Sequence, residues 1–119
     1  MTTISSHILD STTGQDASGV RVICQRLLGS SSEPEAVFEV QSGDDGSISI
    51  DIDTDNDSVE TRYEVVFCSG AYLARNESTE RGFSMVNEIV IRVDLSKTPT
   101  HCHVPVLIAP YNYTLWWSR

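Results

Sequence analysis

The sequence predicts an all-β fold, a small sandwich or barrel of eight short strands with one short helix at most. Apolar and polar residues alternate in short runs rich in Val, Ile, Tyr and Phe, which is the pattern of half-buried strands. Turn signals such as Thr13-Gly14 and Ser18-Gly19 separate the runs. At 119 residues the chain has room for one core, so residues 1–119 are expected to form a single domain.

Eight segments fit the strand pattern. In chain order they are residues 4–9, 20–28, 36–40, 47–52, 63–68, 88–95, 101–109 and 111–117. Asp45-Gly46, between the third and fourth segments, predicts a hairpin turn that joins them. Residues 70–76 are the one stretch that could be helical, and they are too few for a core helix.

Charge and cysteine content narrow the class of protein. A net charge of −9 argues against nucleic-acid binding, because Lys and Arg must neutralise phosphates. Neither a long apolar span nor a signal peptide is visible, so a membrane partner is not expected. Cys24, Cys68 and Cys102 are widely spaced and form no CxxC pair, which favours reduced thiols in a cytoplasmic setting.

Acidic residues concentrate in residues 44–57. They are Asp44, Asp45, Asp51, Asp53, Asp55 and Asp57. The alternation could suggest a calcium loop, but the central glycine and the glutamate at the twelfth position of an EF-hand are missing. A solvated edge strand that runs into a loop is favoured over a metal site.

Two motifs, one near each end, carry a resemblance to a known family. The first is Ser6-His7-Ile8-Leu9-Asp10, followed by Gly14 and Ala17-Ser18-Gly19-Val20, and the second runs from His101-Cys102-His103-Val104-Pro105 to Ala109-Pro110-Tyr111-Asn112-Tyr113. They resemble the hydroxyisourate hydrolases of the transthyretin family, with signatures T-H-V-L-D…G-x-P-A-x-G-V and H-x-H-V-P-L-L-L-S-P-x-x-Y-S-T-Y-R-G-S. Residues 63–73 resemble that family's fifth strand and short helix, so the resemblance spans nearly the whole chain.

The resemblance implies a transthyretin-like eight-stranded β-sandwich that assembles as a homotetramer, a dimer of dimers. Active sites of the family lie in a channel at the dimer–dimer interface. The enzymes add water to open the ring of hydroxyisourate, whereas transthyretin is a non-catalytic carrier. The implied partner is therefore a small cyclic molecule, and no cofactor or resident metal is expected.

His7 and His103 match the catalytic histidines of the family, and transthyretin has lost the second of them. Their retention favours an enzyme, because imidazole titrates near neutral pH and suits acid/base chemistry. On an extended strand His101 and His103 point to one face, while Cys102 and Val104 point to the other. His101 is expected to assist or to lie in an interface, which is favoured over a zinc site of three histidines. For Cys102, packing is favoured over a nucleophilic role.

Other positions depart from the family pattern. Ser47 stands where the family has an arginine, and Trp116, Trp117, Ser118 and Arg119 replace its final Tyr-Arg-Gly-Ser. Tryptophan cannot supply the planar donor fork of arginine, so hydrolysis of hydroxyisourate is expected to be weak or absent.

The substituted positions are nonetheless candidates for binding substrate. Together with His101, they are Ser47, Thr114, Trp116, Trp117 and Arg119. At least one tryptophan is expected to line the site, which would make it more aromatic. Arg119 either restores a guanidinium to the channel or lies in solvent at the chain end.

Three functions remain open from the sequence. The first is an enzyme that uses His7 and His103 on a small cyclic metabolite, by hydrolysis, isomerisation or cyclisation, in specialised metabolism. The second is an authentic 5-hydroxyisourate hydrolase of purine catabolism. The third is a transthyretin-like protein that binds a ligand without turnover. The retained histidines count against the third function, and Ser47 and Trp117 count against the second.

Overall fold

A computed structural model describes residues 1–29, 33–76, 85–97 and 100–118. Within them, ten strands form two sheets that enclose an apolar core. The strands are β1 (Thr2–Asp10), β2 (Gln15–Asp16), β3 (Arg21–Leu27), β4 (Glu35–Gln41), β5 (Ser47–Ile52), β6 (Arg62–Phe67), β7 (Ile89–Val93), β8 (His101–His103), β9 (Val106–Ile108) and β10 (Tyr113–Leu115). A helix, α1, spans Ser69–Asn76, and a single 3₁₀ turn spans Leu95–Lys97. Among the described residues, no helix is both long enough and apolar enough to span a membrane.

Strand β1 lies at the centre of the first sheet. On one side it pairs antiparallel with β5 and β2, and on the other it pairs parallel with β8 and β9. Strand β10 continues the sheet beyond β9, and the second sheet has the order β4-β3-β6-β7. The even-numbered residues of β1, including Ile4 and Ile8, face the core. The all-β sandwich predicted from the alternating runs is therefore confirmed.

The predicted strand 101–109 is interrupted. It forms β8 and β9, which are separated by Val104 and Pro105. Proline has no N–H to donate to the neighbouring strand, so the ladder of hydrogen bonds breaks there. The buried Ser6 hydroxyl donates to the Val104 carbonyl over 2.6 Å, which satisfies that oxygen at the break. The two-residue strand β2 was not predicted, because so short an element has no visible alternation.

The predicted hairpin at Asp45-Gly46 is wrong. A tight turn is present, with Gly46 N donating to Gly43 O over 2.9 Å, but β4 and β5 belong to different sheets. The turn therefore carries the chain from one layer of the sandwich to the other. Turn chemistry fixes the local reversal of the backbone, whereas the pairing of the flanking strands depends on which sheet buries each of them. The prediction of an edge strand at β5 is confirmed, since β1 is its one partner among the described strands.

Helix α1 begins one residue before the predicted segment and ends where it does. Although short, the helix buries Tyr72 and Leu73 in the core. The Tyr72 hydroxyl donates to the buried carboxylate of Asp10 over 3.1 Å, and the hydroxyl and N–H of Thr12 bond the other oxygen of that carboxylate. This carboxylate ties the helix to the end of β1.

Two glycines with positive φ provide a matched test of the turn that crosses between the sheets. Gly46 has a φ of 78°, and a Cβ at that position would overlap the carbonyl oxygen of Ile8, whereas Gly14 has a φ of 77° with open space around it. Gly14→Ala should cost about 1–2 kcal/mol from the left-handed backbone alone. Gly46→Ala should cost about 2–5 kcal/mol because steric overlap is added. Urea unfolding of both variants measures the difference, and equal losses would contradict the close approach of Gly46 to β1.

Candidate active site

All three histidines of the chain lie on the outer face of the first sheet. Paired residues on that face form rows that run across the strands. Successive rows contain Asp51, Thr3 and His101; Ser49, Ser5, His103 and Ser118; Ser47, His7, Pro105 and Trp116; and Asp16, Leu9, Leu107 and Thr114. We call the part of this surface that carries His7, His101 and His103 the histidine face. Because β1 and β8 run parallel in register, residues from opposite ends of the sequence meet there.

Ser5 links two of the histidines. Its Oγ lies 2.7 Å from Nε2 of His101 and 2.7 Å from Nδ1 of His103. The two imidazole rings are 6.2 Å apart between centroids and nearly perpendicular, with an interplanar angle of 84°. The rings are therefore joined through the serine hydroxyl.

His7 has a different partner. Its Nε2 lies 2.9 Å from Oδ1 of Asp16, on the short strand β2 beside β1. Both side chains are about half exposed, at 43% and 45%. A carboxylate bonded to an imidazole nitrogen fixes the orientation of the ring. In the family signature the position of Asp16 is a proline, so this ion pair is a departure of the present chain from that pattern.

Ser47 lies beside His7, as the direct partner of that residue on β5. Its hydroxyl and its N–H both donate to Oδ1 of Asp45, over 2.6 and 3.0 Å. These bonds lower the pKa of the Asp45 carboxyl, so it is ionised at neutral pH. Where the resemblance leads one to expect a guanidinium, the chain has a serine bonded to a carboxylate.

The arginines with described side chains are occupied elsewhere. Arg21, Arg26, Arg62 and Arg92 lie on the second sheet and pair with carboxylates, while Arg75 of α1 donates to Gly19 O. Within the described part of the chain, the histidine face therefore has carboxylates near His7 and no arginine. Arg119, predicted to bind substrate, lies outside the described residues.

The two tryptophans face opposite ways. Trp116 N donates to Pro105 O over 3.3 Å, in the same cross-strand row as His7, and its side chain is 44% exposed. Trp117 instead lines a groove of about 400 Å³ with Val93, Val104 and Leu115. The structure thus brings Trp116 to the histidine face and leaves the predicted binding residue Trp117 on the other side of the strand.

Thr114 is exposed two strands away from β1, whereas Ser6 and Cys102 are buried. The Ser6 hydroxyl donates to the Val104 carbonyl, so it is occupied by the backbone. Cys102 is 3% exposed on the core side, and burial raises its thiol pKa, which agrees with packing rather than nucleophilic attack.

The described residues contain no group of three or more His, Cys, Asp or Glu side chains that could hold a metal ion.

The pKa of His103 is lowered from its ordinary value of 6.5. Partial burial of the ring is the largest cause, followed by the positive charges that His101 and His7 carry when protonated. His103 is therefore neutral at physiological pH and has a lone pair available to accept a proton. This protonation state is the one that a general base requires.

A model of the HIUase/transthyretin family matches residues 4–117. The chain belongs to this family. Among family relatives, the 5-hydroxyisourate hydrolase of Halalkalibacterium halodurans is 29% identical over 113 residues, which are 95% of this chain and 94% of the relative. The 5-hydroxyisourate hydrolase of Mesorhizobium japonicum is 28% identical over 113 residues, which are 95% and 89% of the two chains.

Solved structures agree with the family fold. Klebsiella pneumoniae 5-hydroxyisourate hydrolase superposes with a TM-score of 0.75 at 28% identity, covering 100% of both chains. An (S)-allantoin synthase superposes with a TM-score of 0.80 at 24% identity, covering 98% of this chain and 43% of the synthase. Transthyretin from Sparus aurata has a TM-score of 0.73 at 20% identity, covering 97% and 95%. The last two similarities concern the fold alone.

Sequence reasoning missed Ser5 and Asp16. Ser5 is two residues before His7, and alternation alone places the two on one face of β1. That signal was available, but the bond from Ser5 to both distant histidines depends on the parallel pairing. Asp16 was visible as a departure from the proline of the family signature, although only the fold of β2 brings it to His7.

The lowered pKa of His103 predicts how folding stability depends on pH. A histidine whose pKa is lower in the folded state binds protons more readily in the unfolded state. The free energy of unfolding therefore decreases as the pH falls below 6.5. His103→Gln should therefore lose less stability than the wild type between pH 7 and pH 5. Ser118→Ala, a change in the residue bridged to His103, should keep the wild-type dependence. Urea unfolding across this pH range is the measurement, and identical pH dependence in the wild type and His103→Gln would refute the assignment.

Proposed function

We propose that this family member is an acid/base enzyme that adds water to a small cyclic metabolite and opens its ring. The observation that carries the proposal is the convergence of His7, His103 and Ser5 on one sheet face, from segments about 100 residues apart in the sequence. The reaction type is supported by relatives named 5-hydroxyisourate hydrolase, whose sequences align with 95% of this chain.

His103 and His7 divide the proton transfers in this proposal. His103 is the general base, because its ring is neutral at physiological pH and its Nε2 is not the atom that Ser5 occupies. It takes a proton from the attacking water. His7, held by Asp16 through Nε2, donates a proton from the imidazolium to the ring atom that leaves. Isomerisation of a ring, or cyclisation of an open chain, would use the same two histidines. Each of these reactions fits a role in specialised metabolism.

The charges around His7 bear on the substrate. Asp16 and Asp45 are carboxylates on that side of the histidine face, and Ser47 has no positive charge to balance them. An anionic ring would meet repulsion there, since like charges repel each other. The preferred substrate is therefore a neutral or cationic ring rather than an anionic ureide. Trp116 offers an aromatic surface in the same row.

Authentic 5-hydroxyisourate hydrolysis is the second candidate function. The names and coverage of the relatives favour it, with identities of 24–29% in the bacterial enzymes. Against it stand the serine at position 47 and the tryptophan at position 117. Both candidates use the same histidines and differ in the charge of the ring that binds.

An assay of hydroxyisourate decay separates the two candidates. Hydroxyisourate is generated in place by urate oxidase and followed by stopped-flow absorbance. The wild type should accelerate decay weakly or not at all, and Ser47→Arg should raise the rate about 10- to 100-fold, because a charged hydrogen bond contributes about 1.5–3 kcal/mol. Ser49→Ala, on the same strand and face, is the control and should match the wild type.

Fast decay with the wild type would instead identify a 5-hydroxyisourate hydrolase and reject the neutral or cationic substrate. On whichever substrate is turned over, His7→Ala and His103→Ala should each lower kcat about 10²–10⁴-fold. A variant that kept full turnover would remove its histidine from the mechanism.

We also infer that the site is completed by assembly into a homotetramer. The histidine face is open in the single chain, and Tyr113, Trp116 and Trp117 are each 44–46% exposed at one edge of the sandwich. Large aromatic side chains grouped at a sheet edge are typical of surfaces that associate.

The mass of the protein in solution tests this assembly. Light scattering after size-exclusion chromatography should give four times the chain mass of 13.1 kDa. Trp117→Glu should lower the mass, because a carboxylate cannot be buried against an apolar partner without a large cost. Val59→Glu, at an exposed position in the loop before β6 of the second sheet, is the matched control. A monomeric wild type would exclude the tetramer.

A further inference from the structure

We propose that Ser5 is a positioning residue that couples His101 to His103, so that the two histidines take up their two protons in separate steps rather than independently. A use of this coupling in catalysis rests on the proposed function, whereas the coupling itself does not. The pair of 2.7 Å contacts from one hydroxyl to two ring nitrogens carries the inference.

The number of protons available to the hydroxyl imposes the coupling. A serine hydroxyl has one hydrogen to donate and lone pairs that accept. With two rings on one oxygen, Ser5 donates to one ring and accepts an N–H from the other. Ser5 is only 7% exposed, so a hydroxyl hydrogen turned away from both rings would lose its bond to water. The described residues give the hydroxyl no other partner than these rings.

The geometry therefore matches the two rings in their neutral tautomers. If His103 donates from Nδ1 to Ser5, the hydroxyl donates to Nε2 of His101, and the hydrogen of His101 lies on Nδ1. If His101 donates from Nε2, the hydroxyl donates to Nδ1 of His103, and the hydrogen of His103 lies on Nε2. Both rings thus carry their hydrogen on Nδ1, or both carry it on Nε2.

One added proton preserves this chain of bonds, and a second breaks it. A protonated His103 donates from Nδ1 to Ser5, which still donates to neutral His101. With both rings protonated, both donate to Ser5, and its own hydrogen has no acceptor. Charge repulsion across the 6.2 Å between the rings acts in the same direction. The second proton is therefore taken up at a distinctly lower pH than the first.

These hydrogen bonds through Ser5 also provide a path for the positive charge. The N–H bond at Nδ1 of His103 breaks as a new O–H bond forms on Ser5, while the former O–H bond of Ser5 breaks and an N–H bond forms at Nε2 of His101. The positive charge moves to His101, the more exposed ring. His103 is left neutral with its hydrogen on Nε2. Both nitrogens of His103 thereby take part in proton transfer, one with substrate and one with Ser5.

Neighbouring charged groups do not replace Ser5 in this role. On β1 and β2, His7 is bonded to Asp16, and on β5, Asp51 accepts from the Thr3 hydroxyl over 2.7 Å. Asp45 accepts from Ser47. From the chain end, Ser118 contacts His103 through backbone, with its N–H donating to His103 O over 2.8 Å. Among the described residues, Ser5 is the side chain that bonds both rings.

Imidazole nitrogen NMR of the full-length, substrate-free protein tests the coupling. Two-bond ¹H–¹⁵N spectra give the tautomer and titration of each ring, with signals assigned from His7→Gln, His101→Gln and His103→Gln. In the wild type the two rings should share one tautomer, and their two protonation steps should be separated by about one pH unit or more. In Ser5→Ala the separation should shrink. Ser5→Thr, which keeps the hydroxyl, should restore it.

Ser49→Ala is the matched control, because it removes a serine hydroxyl from the residue paired with Ser5 on the same face. It should leave both titrations unchanged. Opposite tautomers of His101 and His103 in the wild type would overturn the proposal without any variant. So would a Ser5→Ala protein with the wild-type separation, since repulsion alone would then explain the two steps. A coupled titration in a protein that turns over no cyclic substrate would leave this inference intact and reject only the proposed function.

Discussion

The parallel register between β1 and the strands β8 and β9 is the constraint on which the rest of the structure depends. One offset holds along its length, with Ser5 beside His103 and Ile8 beside Val106. The Val104 N–H donates to Ser5 O over 2.9 Å, which keeps the pairing in step where Pro105 interrupts it. A slip of one residue would turn His103 into the core and Cys102 outward. The same hydrogen bonds therefore set both the apolar core and the histidine face.

Strand β1 shows how one segment serves both faces. Its core side contains Ile4 and Ile8, together with polar Ser6 and Asp10, which are buried and hydrogen-bonded to Val104 O, Thr12 and Tyr72. Satisfied polar groups of this kind cost little, whereas unpaired ones would cost about 1–3 kcal/mol each. Its outer side presents Ser5 and His7 to partners from distant parts of the chain. The packed core beneath the histidines holds their relative positions.

Membership of the HIUase/transthyretin family explains the architecture, and the departures from the family pattern define what is particular to this chain. The histidines of the family signature are kept, while Ser47 and Asp16 stand where the signature has an arginine and a proline. Asp16 bonds His7, and Ser47 bonds Asp45, so this side of the histidine face is acidic. The histidines and the charged groups beside them are thus separable features of the fold, because they occupy different side chains on neighbouring strands.

The sequence by itself determined the sandwich, the strand positions and the faces of His101 and His103, because a period of two residues is imposed by the geometry of each strand. It also marked His7, His103 and Ser47 through motif positions. Only the tertiary structure decided that β4 and β5 part into different sheets, that Trp116 rather than Trp117 shares the row of His7, and that Ser5 joins two histidines some hundred residues away. Those features depend on which strands pair and in what register, and pairing between distant segments leaves no local pattern in the sequence.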